Sequence, residues 1–265
     1  MKVLIFAAGL GTRLKPLTDT KPKALIEVGG KPLLEWLILK LKGEGFDDIV
    51  INVHYLGRQI VDFVKEKNSF GVQIAFSNES DLLRDTGGGI KHAERLLNDG
   101  EPFLVHNVDI VSNLNLKDLY ESFRSKAEDE NILASLVVSK RDNDRRLLFD
   151  DANDLKAWEN LKTGEVKSPY EEFASQKANS VKMRSLSPRS FAGIHVISPK
   201  IFELMQGMPE KFPIVDFYLS QAAKYKIRAE YRENLQLVDV GKVEHMAAAE
   251  ELLKRMQSIS FKERR

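Results

Sequence analysis

Val3-Leu4-Ile5-Phe6-Ala7-Ala8 is an unbroken apolar run that stops at Gly9-Leu10-Gly11, and this junction constrains the fold more than any other stretch. A strand with one wet face alternates apolar and polar residues; a continuous run suits a strand buried on both faces of a parallel sheet. Glycines directly after such a strand let backbone N–H groups converge on a ligand without Cβ obstruction. The run is too short for a signal-peptide core, and no stretch of roughly 18 apolar residues follows it anywhere.

The periodicity then alternates. Leu33, Leu34, Leu37, Ile38 and Leu41 lie on one face of a helix opened by Pro32 and closed near Gly43 and Gly45. Ile49–Ile51 reads as a strand, 59–67 as a helix and 72–76 as a strand, with a loop over 77–89 before a short helix carrying Ile90, Ala93 and Leu97. Phe103–His106 forms an apolar strand ending in Asn107-Val108-Asp109. Strands alternating with helices predict βαβ units, an α/β class and a mostly parallel sheet that binds ligands at its carboxyl edge. Further on, 147–149 and 155–158 read as antiparallel strands, 160–190 as a polar flap, and 191–197 as a buried strand. Helices at 199–205 and 214–224, strands at 227–231 and 235–238, and a helix from about Val243 complete a single domain over 1–265.

Lys and Arg number 40 against 39 Asp and Glu, so no bulk field favours nucleic acid or an anionic membrane, and an anionic ligand must be met locally. The chain has no cysteine. Disulfides, thiolate zinc sites and cysteine nucleophiles are thereby excluded, leaving a hard, oxygen-bound metal as the expected kind. The protein reads as cytoplasmic, and its oligomeric state is not readable.

The glycine loop matches neither the dinucleotide-binding Gly-x-Gly-x-x-Gly pattern, since Leu14 holds the third position, nor the P-loop. Its continuation is more informative: Pro16 and Pro22 stiffen a basic segment, so Arg13 and Lys23 can converge on one polyphosphate, whereas Lys15 and Lys21 fit a solvated surface equally well. Gly9-Leu10-Gly11-Thr12-Arg13, then Pro16-Leu17-Thr18, then Pro22-Lys23 resembles the signature of the sugar-1-phosphate nucleotidylyltransferases. The resemblance implies a Rossmann-like nucleotide-diphospho-sugar transferase fold. It implies that Ala8, Gly9, Gly11 and Thr12 hold the nucleoside triphosphate, that Arg13 supports the departing pyrophosphate, and that Lys23 contacts the phosphates in transfer.

Asp85-Thr86-Gly87-Gly88-Gly89 precedes a predicted helix, where a ligand approaches the backbone closely, although a flexible turn accounts for three glycines as well. The segment resembles the base-recognising stretch of the same family, especially the form in bacterial muramate-phosphate and in heptose- or mannose-phosphate nucleotidylyltransferases, which implies base contacts from Asp85, Gly87 and Gly88. Asp109 and Asp239 each end an apolar strand, positions equally suited to capping a helix. The resemblance makes them a pair holding Mg²⁺, with Val108 in place of the usual glycine and Lys242 in place of the common threonine. Asn107 and Glu159 are expected to contact the sugar phosphate, but Trp158-Glu159-Asn160 lacks the lysine of the family's Glu-Lys-Pro element, and the phosphate ligand stays unassigned. The five histidines show no metal-ligand spacing, and His195 reads as a core residue.

The expected reaction is NTP plus sugar 1-phosphate giving NDP-sugar and pyrophosphate, dependent on Mg²⁺. A cytidylyltransferase acting on phosphocholine and a non-catalytic regulator that binds nucleotide sugars are the alternatives. The expected partners are the two small substrates, with no nucleic acid and no membrane.

Overall fold

The computed structural model describes residues 1–141 and 143–262. Strand β1 (Lys2–Phe6) leads through the glycine loop to a small hairpin, β2 (Glu27–Val28) and β3 (Lys31–Pro32). Helix α1 (Leu33–Gly43), β4 (Asp48–Val53), α2 (Gly57–Glu66) and β5 (Gln73–Asn78) follow. Then come α3 (Asp85–His92), α4 (Glu94–Leu97), β6 (Phe103–Asn107), β7 (Ile110–Ser112) and α5 (Leu116–Arg124). The second half carries β8 (Ile132–Ser139), β9 (Arg145–Phe149), β10 (Leu155–Asn160), β11 (Val166–Lys167), α6 (Glu171–Ala174) and β12 (Ser187–Ile197). It closes with α7 (Lys200–Leu204), α8 (Ile214–Gln221), β13 (Lys226–Tyr231), β14 (Leu237–Asp239) and α9 (Met246–Lys262).

Fourteen strands among the described residues form one ten-stranded sheet and two ribbons. The order β5-β4-β1-β6 is parallel throughout, and β12 joins β6 antiparallel, so the sheet is mixed and mostly parallel on the half that carries the glycine loop. The apolar run behaves as its composition dictates: Val3, Leu4 and Ile5 are fully buried, Val3 and Ile5 against the α1, α2 and α5 layer and Leu4 against α3, α7 and α8. From β1 the chain winds outward through β4 to β5, then returns to place β6 on the other flank of β1. That reversal is the topological switch point, where the carboxyl ends of an open α/β sheet leave a crevice. Gly9 and Asp109 both follow those two strand ends.

Strand β12 serves two neighbourhoods. Its first residues pair with β9 and its last with β6, while β8 runs along its other edge and continues to β13. The register shift falls between Phe191 and His195, around Gly193, whose φ of 73° is the left-handed conformation glycine adopts without penalty.

Segment 160–190, expected to be a polar flap, is partly apolar and packed onto the sheet. It carries β11 and α6 and buries Phe173, Met183 and Leu186 against Leu148 and Ala157 of the outer strands. Apolar residues spaced too irregularly to show a period still make a small core when a sheet face lies beneath them. Two further elements were hidden in the sequence, the β2–β3 hairpin and β7. The latter pairs antiparallel with β14.

Candidate active site

The end of β1 is held by a buried side-chain network. Asn52 Oδ1 on β4 accepts from the backbone N–H groups of Ala7 and Ala8 at 2.7 and 3.1 Å. Its amide nitrogen donates to Glu79 Oε1 at 2.8 Å, and Glu79 Oε2 accepts from the Arg84 N–H at 3.1 Å. Asn52 and Glu79 are 2% and 1% exposed, so every one of these bonds acts in a low-dielectric interior where an unpaired group would be costly. Both residues reach the cleft floor, and neither belongs to a motif. The one signal in the sequence is a lone asparagine inside the apolar strand Ile49-Val50-Ile51-Asn52-Val53.

The spacing between the glycine loop and Pro16-Leu17-Thr18 has a packing reason. Gly11 has φ +64°, and a Cβ there would lie 2.8 Å from Thr18 Cγ2. Thr18 is buried, and its hydroxyl donates to Gly11 O at 2.9 Å, while Leu14 anchors the turn in the core. Threonine thus clamps the loop from behind, and nothing stands within 4 Å of where a Gly9 Cβ would be, leaving that face open. Exposed Arg13 reaches across to the Cα of Gly241.

Lys23 and Asp109 are ion-paired, with side chains only 11% and 16% exposed. Asp239 is brought beside them by the β7–β14 ribbon. It pairs in register with Ile110, and the Val240 N–H donates to Asp109 O at 2.9 Å. Thus two carboxylates 130 positions apart in sequence sit at adjacent ribbon positions. Asp239 Oδ1 is buried and has no hydrogen-bond partner among the described residues, which is the condition of a carboxylate oxygen shaped for a cation. Among the described residues no group of three or more acidic or histidine side chains is placed to hold a metal ion by itself. Two carboxylates without a third protein ligand are a donor set that suits a hard, oxygen-preferring cation able to complete its shell from water or ligand oxygens.

Two adjoining cavities share this centre. One of about 490 Å³ is lined by the loop from Phe6 to Arg13, by Lys23, Asn52 and Glu79, and by Asp85 and Thr86. A second of about 280 Å³ opens on Arg13, Asn107, Asp109 and Asp239 and extends to Arg141, Phe191, Gly193 and His195. Their sizes suit a nucleotide and a smaller ligand. Asn107 lines both, its side chain packed against the Cα of Gly193. Ala8, Gly9, Gly11 and Thr12 line the larger cavity, and Lys211 is a cation at its wall that no sequence pattern disclosed.

Three expected site residues lie elsewhere. Gly87 and Gly88 are inside α3, not ahead of it, and their N–H groups both donate to Phe212 O at 2.9 and 3.2 Å. A Cβ on Gly88 would clash with the Glu210 carbonyl and one on Gly87 with the Phe212 ring, so these glycines serve close chain packing, with no line to the cleft. Asp85, at φ +61°, and Thr86 do face the cleft, where the Thr86 hydroxyl accepts from the Ile214 N–H at 2.9 Å. Glu159 is buried on β10, held by Arg146 at 2.5 Å and by the Asn179 N–H at 2.8 Å. It lines a separate recess of about 160 Å³ with Arg184. There it ties the 160–190 segment to the sheet.

His195 is a core residue, as its strand position suggested. Its Nδ1 shares a 2.7 Å hydrogen bond with the Tyr218 hydroxyl. Burial, with His106 nearby, pushes its pKa down to about 3, and burial takes His106 down to about 4 against the Asn107 carbonyl that accepts from its ring. Both rings are neutral at physiological pH. No helix among the described residues is long and apolar enough to cross a membrane.

The chain is 45% identical over 128 residues to the N-acetylmuramate alpha-1-phosphate uridylyltransferase of Neisseria meningitidis, covering 48% of this chain and 55% of that one. It is 32% identical over 222 residues to the mannose-1-phosphate guanyltransferase of Kluyveromyces lactis, covering 81% of this chain and 56% of the relative. It therefore spans just over half the length of these relatives. The structure of HddC from Yersinia pseudotuberculosis, complexed with GMP-PN, superposes with a TM-score of 0.68 at 24% identity, over 94% of this chain and 98% of that one. The fold is thus the Rossmann-like one of the nucleotidyltransferases. With the nucleotidyl transferase family model matching residues 2–147 of the 265, the chain belongs to the nucleotidyl transferase family.

Proposed function

We propose that this chain, acting as one domain over 1–265, transfers a nucleotidyl group from an NTP to a sugar 1-phosphate and releases pyrophosphate, with Mg²⁺ as its metal. The observation that carries the reading is the convergence of Arg13, the Lys23–Asp109 pair and the unpartnered Asp239 oxygen on one cleft at the sheet's switch point.

A phosphate oxygen of the acceptor attacks the α-phosphorus in line. The bond from the α-phosphorus to the bridging oxygen breaks, and its electron pair leaves with pyrophosphate. Such a transfer asks the protein for positioning and charge neutralisation more than for a nucleophile. Bound on Asp109 and Asp239, magnesium supplies charge neutralisation and a template for the phosphate oxygens. The loop from Ala8 to Thr12 offers backbone N–H groups to the triphosphate, and Asn52 keeps that loop in place from below. Arg13 faces the charge that builds on pyrophosphate. Lys23, ion-paired with Asp109 on the cleft wall, holds its ammonium where it neutralises charge on the phosphates in transfer. Identity to the uridylyltransferase, higher over its span than to the guanyltransferase, supports UTP as the nucleotide and a muramate-type sugar as the acceptor.

Asp109→Asn tests the reading. It keeps the size of the side chain and the backbone bond to Val240, so the variant still folds cooperatively, with a melting temperature lowered by the loss of the Lys23 pair, but loses Mg²⁺-dependent pyrophosphate release on the order of 10²-fold. Wild-type turnover in that variant refutes the metal assignment. Screening four NTPs against several sugar 1-phosphates then identifies the productive pair.

A further inference from the structure

The smaller cavity must accept a phosphomonoester dianion if the nucleotidyl-transfer reading holds, and the inference here rests on that reading. Its wall presents two carboxylates, Asp109 and Asp239. A dianion entering beside them needs a fixed cation on the far side from the metal, and the lysine of the Glu-Lys-Pro element is missing, since Asn160 follows Glu159. Glu159 itself belongs to a different recess.

Among the described residues, two arginines and no lysine line this cavity. Arg13 is placed at the Gly241 and Asp239 end, where the pyrophosphate side of the reaction lies. His195 also reaches the cavity, but burial keeps its ring neutral, so it is a hydrogen-bonding group and not a charge. Arg141 remains. It follows β8, and the buried Ser190 hydroxyl on β12 donates to its carbonyl at 2.9 Å, so its backbone is held by the sheet. Its basic neighbours are committed elsewhere, with Lys140 and Arg189 both stacked on the Tyr231 ring, at 5.1 and 5.3 Å from its centroid.

We propose that Arg141 binds the phosphate of the acceptor, supplying from just beyond β8 the charge that the Glu-Lys-Pro lysine would supply from elsewhere. A planar guanidinium takes phosphate oxygens in pairs, so it also orients the attacking oxygen. The chemistry selects a phosphomonoester, which either a sugar 1-phosphate or phosphocholine presents.

Pyrophosphate release by the full chain, with Mg²⁺ and saturating NTP, is followed against rising sugar 1-phosphate and, in a parallel arm, rising phosphocholine. Wild type, Arg141→Gln and Arg189→Gln are compared. The expected result is an acceptor KM raised about tenfold or more in Arg141→Gln, with the KM for NTP within about twofold and Arg189→Gln equal to wild type. An unchanged acceptor KM in Arg141→Gln, or an equal rise in both KM values, overturns the assignment while leaving nucleotidyl transfer intact. Wild type that releases pyrophosphate with neither acceptor overturns the nucleotidyl-transfer reading and Arg141 with it. Turnover with phosphocholine alone replaces the sugar as acceptor, and the same KM ratio still decides the role of Arg141.

Discussion

Gly241→Ala separates the geometry of the site from the stability of the fold. Gly241 is not in the left-handed region, so alanine meets no backbone penalty there. Its Cβ would lie 2.7 Å from Arg13 Nη2, 2.8 Å from Asp239 Oδ1 and 3.1 Å from Arg13 Cζ. Non-bonded heavy atoms settle at about 3.5–4.0 Å, so the guanidinium and the carboxylate must each retreat by roughly 0.5–1 Å. Displacements of about 1 Å at a reacting centre can cost on the order of 10²-fold in rate, or about 2.7 kcal/mol of transition-state stabilisation. The fold should lose little. Arg13 is exposed and free to swing, and alanine stiffens the unfolded chain by about 0.4–1 kcal/mol in favour of the native state. We therefore expect kcat/KM for pyrophosphate release to fall about 10²-fold while the melting temperature moves by no more than about 4 °C. Scanning calorimetry and a coupled pyrophosphate assay on the same preparation give both numbers. Activity within about threefold of wild type refutes the claim that this Cα sets the two groups. A large fall in melting temperature would show that the strain is spread through the core.

Gly88→Ala should behave in the opposite way. Its Cβ meets the backbone carbonyl of Glu210, which cannot swing aside, so we expect a loss of about 1–3 kcal/mol and a melting temperature lowered on the order of 5 °C, read by calorimetry. An unchanged melting temperature would mean that the 210–212 segment is not seated on α3. Stability should also fall with pH. His106 and His195 have folded pKa values depressed to about 4 and about 3, so their neutral forms stabilise the fold fully above the unfolded value of about 6.5, and that contribution is lost as pH drops towards the folded values. Each adds a slope of up to about 1.4 kcal/mol per pH unit, so the urea midpoint should decline between about pH 6.5 and 5, above the range where most carboxylates titrate. A flat midpoint over that window would show that the rings are not buried neutral.

The parts of this molecule legible in the sequence are those where one local pattern has one physical meaning. Val3 to Ala8 was readable because an uninterrupted apolar run before glycine has few other uses; Gly11 was singled out by its motif, and the structure adds the packing reason, its contact with Thr18. Arg13, Lys23, Asp109 and Asp239, far apart in the sequence, line two adjoining cavities. What misled was locality. Three glycines before a helical pattern read as a ligand loop, yet Gly87 and Gly88 answer to Phe212 and Glu210, more than 120 residues on, which no window around position 87 can contain. Glu159 was assigned by the look of a tripeptide, but β10 is separated from β12 by β9, and its carboxylate is used up by Arg146 and Asn179. Strand β7 has three residues, too few to show alternation, and it is defined by its partner β14 alone.

That partnership determines how the site is assembled. Asp109 rides on the main sheet through β6, but Asp239 has no such support, because β14 pairs with β7 and with no strand of the large sheet. What presses the ribbon into place is a separate apolar cluster. Val111 and Val240 from the ribbon pack with Ala249, Leu252 and Leu253 of α9 and with Val28 and Leu33 beside the β2–β3 hairpin. The hairpin lies between Lys23 and α1, so the same cluster holds the segment that carries the lysine and the segment that carries the second aspartate. The His245 ring, just ahead of α9, adds a 2.6 Å hydrogen bond to the Asp239 carbonyl. The helix reaches the site through the ribbon: by burying Ala249, Leu252 and Leu253 against Val111 and Val240, it fixes the position from which β14 presents Asp239 towards Asp109.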